Sequence, residues 1–143
     1  MISTILVTDD NILDNAILRN YLYKERVNIV SVLNGREALD MVENRNVDVI
    51  ILDLVMPVLD GFGFLEEFCK TNSYKEIPVI IASNIEMDEI EKVLNYDIYD
   101  FIPKPINKLN KMVVVNKVRK AIQFRKMITQ LKLLESKVTH SPG

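Results

Sequence analysis

Val49-Ile50-Ile51-Leu52-Asp53-Leu54-Val55-Met56-Pro57-Val58-Leu59-Asp60-Gly61 is the stretch on which the reading of this chain turns. An unbroken apolar run from Val49 to Leu52 predicts a strand covered on both faces, because a strand with one wet face alternates. Asp53 follows at once, and Pro57 with Asp60-Gly61 closes the segment in a turn. An acid so placed stands at the carboxyl end of a buried strand, the edge where open α/β sheets gather their chemistry. The same design repeats outward in both directions. Asp9 and Asp10 follow Ile5-Leu6-Val7, Ser83 follows Val79-Ile80-Ile81-Ala82, and Lys104 follows Phe101-Ile102.

Between these strand ends the apolar spacing is helical. The pattern predicts strands near 2–7, 28–33, 47–54, from Ile77-Pro78 to Ser83, and over 100–103. Helices are expected near 12–24, after Asn34-Gly35, through Phe62, Leu65, Phe68 and Cys69, and over 87–96; Asn107 is expected to cap a long final helix. Five strands alternating with helices give an α/β fold with a parallel sheet and right-handed crossovers, whose strand-to-helix loops open at one edge. Residues as distant as Asp9 and Lys104 can therefore meet.

Composition narrows the class. A chain of 143 residues with 48% hydrophobic content, four Gly and five Pro is one ordinary globular domain rather than a disordered segment. Its lone Cys69 is expected to serve as packing, and no Cys/His cluster suggests zinc. Without a basic leader or a membrane-length apolar run, a cytoplasmic protein with no membrane partner is expected. Charge is uneven: residues 1–103 carry 19 acids and 8 bases, whereas residues 104–143 carry 10 bases and Glu135. A basic tail suits an acidic partner or nucleic acid, but no aromatics are interleaved to stack on bases. A solvated helix face is the preferred reading, and nucleic-acid binding is not expected.

Asp9, Asp10 and Asp53 crowded together repel one another unless a cation neutralises them. Three oxygen donors with no softer ligand suit Mg²⁺. The plainer reading of Asp9-Asp10, a helix N-cap, explains one acid but not two plus a third on the next strand. Beside such a cation a carboxylate can accept a phosphoryl group as an acyl phosphate. Charge building on the transferred oxygens then needs partners already in place; Lys104 supplies an ammonium and Ser83 a hydroxyl. Pro103 and Pro105 stiffen the backbone around Lys104, with Lys104–Pro105 a candidate cis bond.

Asp9-Asp10, Asp53 with Met56-Pro57 and Asp60-Gly61, Ser83, and Lys104-Pro105 together resemble a response-regulator receiver domain of two-component signalling, over about residues 2–122. The resemblance implies a flavodoxin-like five-stranded parallel sheet of order 2-1-3-4-5 with helices on both faces. It implies phosphorylation of Asp53 by a histidine kinase or phosphotransfer protein, Mg²⁺ held by Asp9, Asp10, Asp53 and the Val55 carbonyl, and Lys104 on the phosphoryl group. Ser83 and Phe101 would form the switch pair, moving the face made by the fourth helix, fifth strand and fifth helix.

The chain departs from the family pattern in places. Asn84 stands where Ala or Gly is usual and is expected to narrow access to Asp53. Val55 and Ile85 are apolar and cannot orient a hydrolytic water, so a long-lived phospho-state is expected. Asp97-Ile98-Tyr99 replaces a Gly-Ala-containing turn, so unusual packing of the fourth helix is expected. The receiver is expected to span 1–123. Beyond it Phe124, Met127, Leu131, Leu134 and Val138 step by three and four, the spacing of a coiled-coil seam. An extended helix over 124–138 is therefore expected to pair two chains or lead to a C-terminal output domain, in preference to folding back on its own domain; 139–143 reads as a loop, in which His140 is no phosphotransfer site. Two other classes compete: a constitutive dimerisation or scaffold module, and an aspartyl-phosphate hydrolase of the haloacid-dehalogenase type. The latter wants a second acid at position 55, which is Val.

Overall fold

The computed structural model describes residues 2–84 and 86–139. Its strands are β1 (Ser3–Thr8), β2 (Val27–Val32), β3 (Val49–Leu52), β4 (Val79–Ser83) and β5 (Asp100–Pro103). They alternate with α1 (Ile12–Leu22), α2 (Gly35–Asn44), α3 (Gly61–Phe68), α4 (Met87–Val93) and α5 (Lys111–Thr139). All pairings are parallel and the order is β2-β1-β3-β4-β5. The flavodoxin-like sheet expected from the resemblance is thus present.

Two apolar layers explain why the strands are hydrophobic throughout. Leu6, Ile50, Leu52, Val79 and Ile81 point to one face, where Ala38, Leu39, Phe64, Leu65, Phe68 and Val93 cover them. Their neighbours Ile5, Val7, Val49, Ile51, Ile80 and Ala82 point to the other, under Leu18, Leu22, Val114, Val118 and Ala121. The period-2 alternation sends each strand's side chains into both layers. Residues Val114, Val118 and Ala121 of α5, spaced by four and three, face the sheet.

Element ends depart from the sequence reading where a local bond decides the matter. Neither Asp9 nor Asp10 caps α1; Asn11 does, its side chain accepting the Asp14 N–H at 3.0 Å. Asn107 caps a short 3₁₀ turn, Lys108–Asn110, which then leads into α5. The fourth helix stops at Val93, three residues early, in a turn closed by the Tyr96 N–H on the Val93 carbonyl. Cys69 is half-buried at the end of α3, not fully packed away. The Asp97-Ile98-Tyr99 segment is tied down on two sides: the Asp97 N–H donates to the Tyr74 hydroxyl, and the Tyr99 ring lies 5.3 Å from that of Phe124.

Two features of the β3–α3 loop fix the mouth of the sheet. Gly61 passes so close to β3 that a Cβ there would lie 2.5 Å from the Asp53 carbonyl oxygen. Val58 has φ of 68°, and the Leu59 N–H reaches the Pro57 carbonyl at 2.8 Å, a three-residue γ-turn of the rarer hand.

Helix α5 is continuous for 29 residues. Residues 131–138 in its last turns are all exposed, although Lys132 still reaches Glu76 of the domain. Thr139, expected to open the terminal loop, is instead the last residue of α5, and Ile85 and residues 140–143, His140 among them, lie outside the described residues.

Candidate functional site

The carboxyl ends of β1, β3, β4 and β5 bring Asp9, Asp10, Asp53, Ser83 and Lys104 into one pocket, as the sequence predicts. Oxygen atoms of Asp9, Asp10 and Asp53 lie within 4.8 Å of one another. Asp9, Asp53 and Ser83 are buried, whereas Asp10 is exposed at the rim. Backbone bonds set this geometry: the Asp53 N–H donates to the Thr8 carbonyl at 2.9 Å, joining the two acid-bearing strand ends.

Asp53 is held on both oxygens. The Ser83 hydroxyl donates to Oδ1 at 2.9 Å, the Val55 N–H approaches the same oxygen at 3.4 Å, and Lys104 Nζ stands 3.4 Å from Oδ2. Lys104 makes shorter contacts elsewhere, at 2.7 Å to Asp9 Oδ2 and 2.8 Å to Asp14 Oδ2. Its peptide bond to Pro105 is cis. Asp9 also accepts the Asn11 N–H at 2.9 Å, and Asn15 Nδ2 donates to the Asp9 carbonyl at 2.8 Å.

These contacts set the charge states. Burial pushes the Asp9 carboxyl above the usual carboxylate range, against the pull of the Lys104 and Asn11 hydrogen bonds. Burial works against a charged Lys104, but its hydrogen bonds to Asp14 and Asp9 and the nearby charge of Asp53 outweigh it and hold the ammonium protonated. Asp9, Asp10, Asp14 and Asp53 around one ammonium leave an excess of negative charge. A set of hard oxygen donors with that excess fits Mg²⁺ by its chemistry.

The remaining predicted residues line the approaches. Val55 and Asn84 are exposed, as is Pro105. Phe101 is half-buried and borders, with Ser83 and Ile90, a cleft of about 180 Å³ under α4. Lys117 of α5 donates to the Phe101 carbonyl and pairs with Asp100 at 3.1 Å, so β5 and α5 are linked beside that cleft. Asp14 was not among the predicted residues. The signal available was its place four residues after Asp10, in the first turn of the helix that leaves this edge.

Residues 5–117 match the family of the response regulator receiver domain. The chain belongs to that family. As a receiver it is a two-component signalling module, of the class that takes phosphate from histidine kinases. It is 35% identical over 127 residues to the response regulator GtcR of Aneurinibacillus migulanus, covering 87% of this chain and 51% of that protein. It is 30% identical over 116 residues to the two-component response regulator ORR3 of Oryza sativa, covering 80% and 88%. The receiver spans about half the length of the first curated relatives it matches. In fold it is similar to the signal receiver domain of a putative Luxo repressor protein from Vibrio parahaemolyticus, with TM-score 0.81 and 24% identity over 92% of this chain and 98% of that one. The phosphorylated cyanobacterial phytochrome response regulator RcpA matches with TM-score 0.73 and 25% identity, over 81% and 91%. Among the described residues no helix is long and apolar enough to cross a membrane.

Proposed function

We propose that Asp53 accepts a phosphoryl group from a phosphohistidine on a histidine kinase or phosphotransfer protein, and that the resulting acyl phosphate switches the α4–β5–α5 face. One observation carries this reading: the Asp53 carboxylate is bonded by Ser83 on one oxygen and approached by Lys104 on the other. Those donors are what a transferred phosphoryl group needs around its oxygens.

In the transfer an Asp53 oxygen forms the new bond to phosphorus while the histidine P–N bond breaks, and the imidazole leaves with the electron pair. Asp9, Asp10, Asp53 and the Val55 carbonyl would hold Mg²⁺, which supplies charge neutralisation for the anionic group. Ser83 is placed to turn its hydroxyl from Asp53 to a phosphoryl oxygen, and Lys104 to neutralise another. A turned Ser83 vacates space next to the cleft that Phe101 borders, so the ring can move inward and repack β5 against α4. Lys117 carries that movement to α5 through its bonds to Phe101 and Asp100.

Exposed Met127, Leu131, Leu134 and Val138 then support pairing of two chains along α5, with any output domain of a longer protein attached beyond it. Val55, at the position where a hydrolase of the haloacid-dehalogenase type wants a second acid, weighs against that class. The intact acids, Lys104 and Ser83 weigh against a mere scaffold. The cytoplasm, where two-component kinases present their phosphohistidines, is the matching location.

Incubation with Mg²⁺ and a small phosphodonor, followed by intact mass measurement, tests the reading. A single phosphoryl adduct is expected on the wild type and none on Asp53→Asn. An unmodified wild type would overturn it.

A further inference from the structure

The geometry points to Asp14 as a positioning residue that holds Lys104 away from Asp53 and competes with the phosphoryl group for it. This inference rests on the phospho-acceptor reading of Asp53. An ammonium has three N–H donors, and here three carboxylates take them: Asp9 at 2.7 Å, Asp14 at 2.8 Å and Asp53 at 3.4 Å. The two short, charge-assisted contacts go to residues other than the one expected to be modified. Only the third donor, held at 3.4 Å, is left for an oxygen on Asp53 while both short contacts persist, so a second or closer bond to a phosphoryl group draws on one of them.

Asp14 is prepared for that task by its own surroundings. It lies in the first turn of α1, where the helix dipole favours a negative charge. Its N–H is bound at 3.0 Å by the Asn11 side chain, and the Asn11 N–H is bound at 2.9 Å by Asp9 Oδ1. Asp9, Asn11, Asp14 and Lys104 therefore form a closed circuit of three hydrogen bonds and the Lys104–Asp14 ion pair. The Lys104 and Asp14 side chains are only 9% and 17% exposed, so water screens the pair weakly. When Asp53 gains a phosphoryl group, the lysine exchanges the Asp14 carboxylate for a phosphoryl oxygen. Asp14 thereby sets how readily the phosphorylated arrangement forms, without touching the phosphoryl group.

Two measurements on the full chain test this. In the ligand-free protein the Lys104 ammonium resonance, identified by its loss in Lys104→Arg, is expected in a ¹H–¹⁵N spectrum and is expected to move in Asp14→Asn. A resonance that is absent in the wild type, or unmoved by the substitution, would overturn the inference. In the second measurement beryllofluoride is titrated at saturating Mg²⁺. Asp14→Asn is expected to bind it about tenfold more tightly, the worth of one charge-assisted hydrogen bond no longer contested. Removing any nearby negative charge also favours an anion, so the same substitution is made in a Lys104→Gln background, where the gain is expected to shrink to a small remainder. An equal gain there overturns the inference, because the effect then bypasses Lys104. A wild type that binds beryllofluoride while Asp14→Asn binds no more tightly sinks this inference alone. A wild type that binds none sinks the phospho-acceptor reading and this inference together.

Discussion

Val58 sits with φ at 68° in the loop that borders Asp53, and a β-branched side chain in that region is strained by about 1–3 kcal/mol. Val58→Gly removes the strain but frees the unfolded chain at a cost of about 1 kcal/mol. The variant is therefore expected to be as stable as the wild type or up to about 2 kcal/mol more so, read from the urea midpoint; a lower midpoint counts against strain at this position. Val55 lies 67% exposed at the same mouth and offers water no hydrogen bond from its side chain. Phosphorylated Asp53 is accordingly expected to outlast the seconds scale after the donor is removed, and Val55→Asn to shorten its lifetime. Decay within seconds in the wild type would contradict this. The acid, hydroxyl and lysine of the pocket were legible in the sequence because each ends an apolar run, and a parallel sheet gathers such ends at one edge. Asp14 was not, because its direction depends on Asn11 capping α1 in place of the two aspartates before it.

Elements meet through contacts that sequence periodicity does not display. The α1–β2 loop is fastened to α5 by Glu25, which accepts from Arg119 Nε and, at 3.0 Å, from Arg119 Nη2. That bidentate bond holds the Glu25 carboxyl below its ordinary pKa. A depressed acid contributes stability above its unfolded pKa and loses it as pH falls through the folded value. The stability difference between wild type and Arg119→Gln is thus expected to be constant near neutrality and to vanish on acidification below the ordinary glutamate range. Urea titrations at stepped pH read it; a difference that survives strong acid would refute the pairing. Gly61 makes a tighter junction, since α3 begins where β3 ends. A methyl group at position 61, 2.5 Å from the Asp53 carbonyl, must push the backbone of the acceptor residue. Gly61→Ala is expected to lose about 1–3 kcal/mol and some phosphoryl uptake as well, by denaturation and intact mass. Strand and helix order were readable from short unbroken apolar runs alternating with segments of helical apolar spacing. The early stop of α4 was not, because its few apolar residues leave the end to a backbone turn.

At the scale of the molecule, the uneven charge has a structural use. The body through residue 103 is strongly acidic and the remainder strongly basic, and the fold brings the two together. Arg125 meets Asp48 at 3.6 Å and Glu76 at 3.8 Å, and Lys132 reaches Glu76 at 2.6 Å. The bases of α5 thus serve in part as a brace against their own domain, which accounts for a basic tail without invoking nucleic acid. The exposed stripe at Met127, Leu131, Leu134 and Val138 is expected to associate. Leu131→Glu with Leu134→Glu would then lower the molar mass seen by light scattering without lowering the melting temperature of the body; an unchanged mass removes the pairing. The unbroken course of α5 has one more outcome. A helix of 29 residues is about 44 Å long and turns by about 100° with each residue. Whatever is grafted after it is aimed by residue count, as a dial is set by its notches: one inserted residue swings the cargo to another side, and seven return it to nearly the same bearing. Signalling through such a shaft is a matter of phase before it is one of distance.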